Sequence, residues 1–468
     1  MNEMFETAIF PWNGRAVEIA ELFADQKHSF LLESSLPDPV RGRYSFIGFD
    51  PFMTFSADGT GALDELRRRF LRYGSFSDKP SRPPVPFPSG IMGYISYDWG
   101  LELEKIRRRL SRDSPVPDYF FGFYDCVIVV DHLQRKLSVY SSGLPEKNAR
   151  LRQRRARQRL DKIRRSLEGF LHHRQEMVWP GVMPGGRAGL TFRSNFNRRQ
   201  YAQAVRRALE YIRRGDIYQV NLSQRFTVDC RRWKIEPFIL YRLLRDLSPS
   251  CFGGYFDAGK FQIVSSSPEL FLRLRGRQVE TRPMKGTRAR GETPRQDRAQ
   301  EQQLRRSAKD QAELLMITDL ERNDLGRACR YGSVKVKELR SFEKYSTVFQ
   351  STSTVTGTLR EDRDGFDLLR ACYPGGSVTG CPKIRAMQII EELERSPRGI
   401  YTGTMGYVSF SGNMDFNILI RTLMVQGSKI HFHAGGGIVT DSTPDGEYEE
   451  TLVKAAAMKE CLMKALGG

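Results

Sequence analysis

No stretch of this chain approaches the roughly 18 consecutive apolar residues that a helix needs to cross a bilayer. That excludes the helical membrane-protein classes. The first residues, MNEMFETAIFPWNG, lack the basic-then-apolar order of a secretory leader, so a cytoplasmic protein is expected. Cysteine is sparse. The seven are Cys126, Cys230, Cys251, Cys329, Cys372, Cys381 and Cys461, odd in number and never spaced Cys-x-x-Cys. This argues against a disulfide framework and a structural zinc, and for reduced thiols. Nucleotide fingerprints are missing as well. Neither GxxxxGK[ST] nor a strand–GxGxxG–helix context occurs, and there is no internal repeat.

What is present is length, apolar content and positive charge. The 468 residues are 40% hydrophobic, enough for one large or two to three ordinary domains. Lysine and arginine number 74 against 55 acidic residues, a net charge of +19. Much of the excess lies in Ala149–Glu168, with eight arginines and one lysine. Basic runs can track phosphates. Here Leu160, Ile163 and Leu167 recur at helical spacing, which predicts a helix with one buried and one solvated face. No aromatics interleave, so nucleic acid is not the expected partner.

Three zones follow along the chain. Residues 1–145 carry short β-like runs: Tyr44–Gly48, Ile91–Tyr97, and the pair Tyr119–Val130 and Lys136–Ser141, which reads as a hairpin. Residues 146–190 hold the basic helix and then WPGVMPGG, a Pro/Gly-rich stretch that reads as an exposed loop. Residues 191–468 are denser in signal. Asn197 is placed to cap a helix running to Arg214, with Tyr201, Val205, Leu209 and Ile212 on one face and Gly215 as its stop. Phe261–Ser265 and Leu270–Leu274 read as strands, and Gly276 turns the second into Val279–Arg282. Met405–Phe410, Phe416–Val425 and Lys429–Phe432 read as a three-stranded meander, so much of the sheet should be antiparallel. Strict βαβ alternation is missing, which excludes a doubly wound fold.

Three constellations can carry chemistry. Asp310/Glu313 and Glu447/Glu450 are acidic pairs at i, i+3 near helix starts, each on one helix face. Four such carboxylates suit Mg²⁺, although this spacing is also common on solvated helices. Ala434–Val439 contains a glycine run after a strand, which either lets amides approach an anion or makes a bulge or tight turn. Pro374–Gly380 is similar. Lys285, after a strand and beside Gly286, is a nucleophile or base if its pocket is dry, and a solvated cation otherwise. Glu269, after Pro268, is placed to act as a general acid or base.

In order along the chain, GDIYQVNLSQRF, SSSPELF, TRPMKGTRAR, DQAELLMITDLERNDLGR, PGGSVTGCPKIRAM, RGIYTGTMGY, FNILIRT and AGGGIVTDSTPDGEYEETLVKA resemble the motifs of the chorismate-utilising enzymes. That family holds anthranilate synthase component I, aminodeoxychorismate synthase component I and the isochorismate and salicylate synthases. The resemblance covers nearly the whole chain. It implies an α+β fold of two packed, largely antiparallel sheets flanked by helices, with the N- and C-terminal parts interleaved.

The resemblance also implies roles. Glu313 and Glu450 match Mg²⁺ ligands, with Asp310 and Glu447 beside them. Tyr401, Arg421 and the amides of Gly435 and Gly437 match groups that hold substrate carboxylates, and Ser377 matches a further contact. Glu33, Ser35 and Tyr44 lie in segments that resemble a tryptophan site. Gln219 stands where the isochorismate and salicylate enzymes resemble one another in carrying a water-activating lysine, which favours ammonia as nucleophile here. Lys285 stands where anthranilate synthases usually carry alanine and aminodeoxychorismate synthases carry lysine. The implied reaction is amination of chorismate at C4 to 4-amino-4-deoxychorismate, for p-aminobenzoate and folate synthesis, with Lys285 as nucleophile and Glu269 as acid and base. Gln350 departs from the family, which usually has histidine there; glutamine bonds a leaving hydroxyl but donates no proton as an acid. No Gly-x-Cys-x-Gly elbow is present, so a separate glutamine amidotransferase partner is expected to supply ammonia. No lyase domain is seen after Gly468, so the aminated intermediate is the expected product. The nearest rival is anthranilate formation, and the rival of another class is a basic binding protein without catalysis.

Overall fold

A computed structural model describes residues 5–36, 42–76, 85–173, 189–345 and 348–466. The Pro/Gly-rich stretch expected as a loop falls largely on 174–188, outside the described residues.

Short runs rich in β-branched and aromatic residues form the strands, many of them buried on both faces, and every strand pair among the described residues is antiparallel, as in Gly90–Ile95 against Tyr119–Tyr124. Two large sheets result. In the twelve-stranded sheet, Phe30–Glu33 from the N-terminal part pairs with Gly253–Asp257. In the ten-stranded sheet, Thr404–Ser409 pairs with Gly90–Ile95. Each sheet is therefore built from both ends of the chain, and the fold is α+β. The inner faces meet in an aromatic layer: Tyr407 of one sheet stacks on Phe87 at 4.3 Å and meets Phe46 of the other sheet edge-on at 5.2 Å.

Two long β-runs read from sequence divide. Tyr119–Val130 becomes Tyr119–Tyr124 in one sheet and Cys126–Asp131 in the other. The pivot is Asp125, fully buried and ion-paired with Arg155 at 3.5 Å and Arg159 at 3.4 Å. Burial raises the Asp125 carboxyl, and the two guanidiniums oppose that shift. Phe416–Val425 likewise divides into Met414–Ile418 and Thr422–Gln426, again in different sheets. The break comes at Arg421, whose φ of +50° no strand accommodates. Cys126–Asp131 does form the expected hairpin with Lys136–Ser141.

The basic segment is helical over Ala149–His173 and buries Leu160, Ile163 and Leu167 against the outside of the first sheet. Part of its charge is structural, since Arg155 and Arg159 hold the Asp125 pivot. Asn197 caps the Arg198–Arg213 helix through a capping box with Gln200, and Gly215 follows at φ +78°. None of the seven cysteines forms a disulfide. Among the described residues no helix is long and apolar enough to cross a membrane.

Candidate active site

Lys285 lies within a strand, Met284–Ala289, and not after one. The pairing of this strand with Val348–Thr358 shifts register between Met284 and Thr287. Such a bulge re-aims a side chain out of the ladder. Gly286 permits it with φ +81°, and a Cβ there would press on Leu304 and Asp310. The released Lys285 Nζ donates to the Ser377 carbonyl at 3.3 Å. Burial pulls the ammonium below its ordinary value, against the opposing carboxylates of Glu313, Glu269 and Glu450.

Glu269 immediately precedes Leu270–Arg275 and is buried. Burial pushes its carboxyl up to about 7, while the Ser377 hydroxyl, the Lys285 cation and the Met284 amide stabilise its charged form. Ser377 is thus the meeting point: its carbonyl accepts from Lys285 and its hydroxyl reaches Glu269. It sits in a single 3₁₀ turn, Gly376–Val378, inside the Pro374–Gly380 segment.

The glycine run lies inside a strand, Lys429–Ile438, and makes neither a bulge nor a turn. Gly437 pairs with Asn221 and Gly435 with Ser223 of Gln219–Asp229. Asn221 directs its own N–H to the Thr379 carbonyl at 2.8 Å, and Ser223 directs its N–H to Glu394 at 2.9 Å. Both pairs are therefore the non-hydrogen-bonded kind, and the glycine amides point away from that strand. A Cβ on Gly437 would stand 2.2 Å from Gln219 Nε2 and 3.5 Å from Lys285 Nζ, so only glycine leaves this space open.

Arg421 is drawn toward neutrality by burial alone and pairs with no carboxylate among the described residues; its one bond is to Ser248 Oγ at 3.3 Å. A half-buried guanidinium without a carboxylate partner is chemically suited to an anion. Tyr401 is not joined to Lys285 by any direct contact. It stacks on His433 at 4.8 Å and lines a cavity of about 620 Å³ with Arg398. Arg398 connects that cavity to the Ser377 turn by donating to the Val378 carbonyl at 2.9 Å. Gln350 is buried in Val348–Thr358, opposite Thr287.

Asp310 and Glu447 lie in the first turns of Ala308–Gly326 and Pro444–Leu466, and Glu313 and Glu450 one turn further on. Lys309 stands between the two helices, 3.9 Å from Glu313 and 3.6 Å from Glu447. Lys454 holds Glu450 at 2.6 Å, and Arg288 holds Asp310 at 3.0 Å. Burial raises the carboxyls of Glu313 and Glu447; at Glu450 burial acts in the same sense, but Lys454 outweighs it and the net shift is downward. Among the described residues no three His, Cys, Asp or Glu side chains converge as one metal-binding set. The chemistry of the donors nevertheless suits a hard cation. All four are carboxylates, Glu447 and Glu450 both face Gly436, and Glu447 Oε2 is buried with no hydrogen-bond partner.

Glu33 and Tyr44 line a separate small cavity between the sheets. Glu33 is itself bonded to Arg245 at 2.7 Å and Tyr241 at 2.8 Å. Ser34, and not Ser35, lines that cavity; Ser35 bonds the backbone of Ser250.

Sequence reasoning passed over Asn221. Its signal was the period-two pattern of Gln219, Asn221 and Ser223, three polar groups on one face of a buried strand.

The family described as chorismate binding enzyme matches residues 27–460. The chain is 35% identical to aminodeoxychorismate synthase component 1 of Bacillus subtilis, covering 95% of this chain and 94% of that one. It is 40% identical to anthranilate synthase component 1 of Thermus thermophilus, covering 94% and 93%. The crystal structure of anthranilate synthase component I from Streptococcus pneumoniae superimposes with a TM-score of 0.75 at 30% identity, over 90% of this chain and 93% of that one. The menaquinone-specific isochorismate synthase of Escherichia coli shares the fold, with a TM-score of 0.72 at 18% identity over 98% and 94%.

Proposed function

This chain belongs to the chorismate-binding enzyme family, and from that premise we propose that it aminates chorismate at C4 to give 4-amino-4-deoxychorismate. The observation that carries the reading is the bulged Lys285, held in reach of Ser377 and Glu269 with its ammonium shifted toward the neutral amine. Anthranilate synthases resemble one another in carrying alanine at this position, which leaves no nucleophile there.

The neutral Nζ of Lys285 forms a bond to C2 of chorismate. The ring electrons shift, the C4–O bond breaks, and Glu269 gives its proton so that water departs. Ammonia then forms the C4–N bond, the electrons shift back, and the C2–N bond breaks with its pair returning to Nζ. Glu269 recovers a proton from the new ammonium group. The carboxyl near 7 is suited to both directions of transfer at neutral pH. Dividing the displacement into two steps is the gain of a covalent route.

Arg421 holds one substrate carboxylate, with the outward amides of Gly435 and Gly437 as further donors. Tyr401 serves the carboxylate end. Gln350 accepts or donates a hydrogen bond beside the leaving hydroxyl but supplies no proton, which leaves that task to Glu269. Glu313, Glu450 and Glu447 would hold Mg²⁺, with Asp310 beside them. When bound, Mg²⁺ supplies positive charge against the second carboxylate. A separate glutamine amidotransferase supplies the ammonia, as the component I character of the relatives suggests. The cavity at Glu33 and Tyr44 is the candidate site for tryptophan.

The second reading is anthranilate formation, favoured by the greater number of relatives bearing that name. Incubation of the chain with chorismate, ammonium and Mg²⁺ decides between the two. Aminodeoxychorismate is the expected product by mass and absorbance; fluorescent anthranilate as the main product overturns the proposal.

A further inference from the structure

One buried carboxyl near the site has no task in the mechanism above. Glu321 is 2% exposed and lies on the helix Ala308–Gly326, about two turns beyond Glu313. Its one hydrogen bond among the described residues comes from the Thr281 hydroxyl, 3.3 Å from Oε2. Lys383, at the start of Lys383–Leu393, is engaged by Asp324 at 2.5 Å and by the Cys372 carbonyl at 3.0 Å. No lysine or arginine forms an ion pair with Glu321 among the described residues. A carboxylate buried with so little support is costly, so Glu321 keeps its proton at neutral pH. Burial raises it well above the ordinary glutamate range, the charges of Asp324 and Glu269 act in the same sense, and Lys383 and Thr281 oppose them only in part.

Its place in the fold ties it to the acid. Thr281 lies on Gln278–Arg282, and the pairing of Arg282 with Leu270 sets that strand beside the one Glu269 precedes. A Cβ at Gly376 would stand 3.4 Å from Glu321 Oε1. The next residue is Ser377, whose carbonyl accepts from Lys285 and whose hydroxyl favours the charged form of Glu269. Two carboxyls from different elements therefore converge on consecutive residues of one 3₁₀ turn, close enough for the charge of one to act on the other.

We propose that Glu321 is the second member of a carboxyl pair and acts through Glu269, extending to higher pH the range over which Glu269 keeps the proton it gives to the leaving hydroxyl. The inference rests on the amination reading above, in which Glu269 is the acid. Glu269 ionises first, because the Ser377 hydroxyl, the Lys285 cation and the Met284 amide support its charge while Glu321 has a single hydroxyl. The charge on Glu269 then keeps Glu321 neutral. Once alkali ionises Glu321 as well, the repulsion is mutual, and each carboxylate makes the other easier to protonate. At alkaline pH Glu269 is therefore protonated in a larger fraction of molecules than it would be beside a neutral neighbour. The other groups facing Glu321 do not supply this effect. Asp324, on the same helix, is ion-paired with Lys383, and the Cys372 thiol at the end of Gly365–Cys372 is pushed up by burial and stays neutral. Glu321 is thus a positioning residue for a proton and touches no reacting atom.

The test compares the full-length protein with Glu321→Gln, which keeps the shape and fixes the neutral form, in chorismate, Mg²⁺ and saturating ammonium chloride. The ratio of kcat near about pH 9 to kcat near about pH 6 should be about threefold or more lower in the variant than in the wild type. A ratio that is unchanged or higher overturns the proposal, as does an equal loss at both pH values, which is the mark of a structural role alone. A second measurement needs no turnover. The infrared carbonyl band of protonated carboxyls, taken as the difference between proteins with and without Glu321→Gln, follows this group through its titration. In a Glu269→Gln background that titration should move to lower pH by about half a unit or more, because the opposing charge is gone. A titration unmoved by Glu269→Gln in a wild type that does form aminodeoxychorismate overturns the pair alone. Absence of any aminated product from the wild type overturns the amination reading, and this role with it.

Discussion

Lys285 Nζ donates to the backbone carbonyl of Ser377 across 3.3 Å, while the Ser377 hydroxyl favours the charged form of the buried Glu269. One residue in one short turn therefore fixes both the amine and the carboxyl. A shift of that turn would disturb nucleophile and acid together.

Replacing Lys285 by alanine should abolish adduct formation and reduce amination to background, with an unchanged melting temperature. Arginine at 285 should be no better, because a guanidinium does not become neutral. Intact mass after incubation with chorismate checks the first point. Near-wild-type amination by Lys285→Ala would remove the lysine from the mechanism.

Glu269 gives a prediction in which stability and activity move oppositely. Its folded value of about 7 lies above that of an exposed glutamate. Between roughly pH 4.5 and 7 the native state binds the extra proton, so this group's contribution to stability falls as pH rises through that window. Glu269→Gln removes the penalty. It should stabilise the protein at pH 8 by up to about 3 kcal/mol and leave stability at pH 4.5 nearly unchanged. Turnover should drop by about 10²–10⁴. Denaturant melts at the two pH values test it; equal effects at both would contradict the raised carboxyl.

Arg421→Lys should raise the KM for chorismate by about tenfold or more, since a point charge does not reproduce a bidentate fork. Arg421→Met, which does remove the unpaired cation, should also stabilise the free protein. Chorismate titration together with a thermal melt reads both, and an unchanged KM would place the substrate carboxylate elsewhere.

Glu450→Gln should abolish stimulation by Mg²⁺ and free Lys454 from its 2.6 Å ion pair. Activity against Mg²⁺ concentration is the measurement. A variant still stimulated at wild-type Mg²⁺ concentrations would contradict the metal role.

The two places where a run of β-formers misled are both places where the chain changes sheet. At Asp125 and at Arg421 the flanking residues are as apolar and β-branched as any single strand. Propensity does not register a partner drawn from elsewhere, whether Arg155 and Arg159 on a distant helix or a second sheet across the core. The glycine run misled for the same reason. Read locally it is a turn, but pairing with Gln219–Asp229 holds it extended.

The amino-acid sequence by itself determined the antiparallel habit of the strands, the capped and amphipathic helices and the family's ordered motifs, because periodicity and motif order are local properties. It also placed Lys285, Glu269 and Ser377 in those motifs. Only the tertiary structure decided that the three meet and that Lys309 and Lys454 hold the paired acids. Those relations span gaps of up to about a hundred residues or more along the chain. They follow from strand register and a single bulge, which the energy of the whole packed body selects.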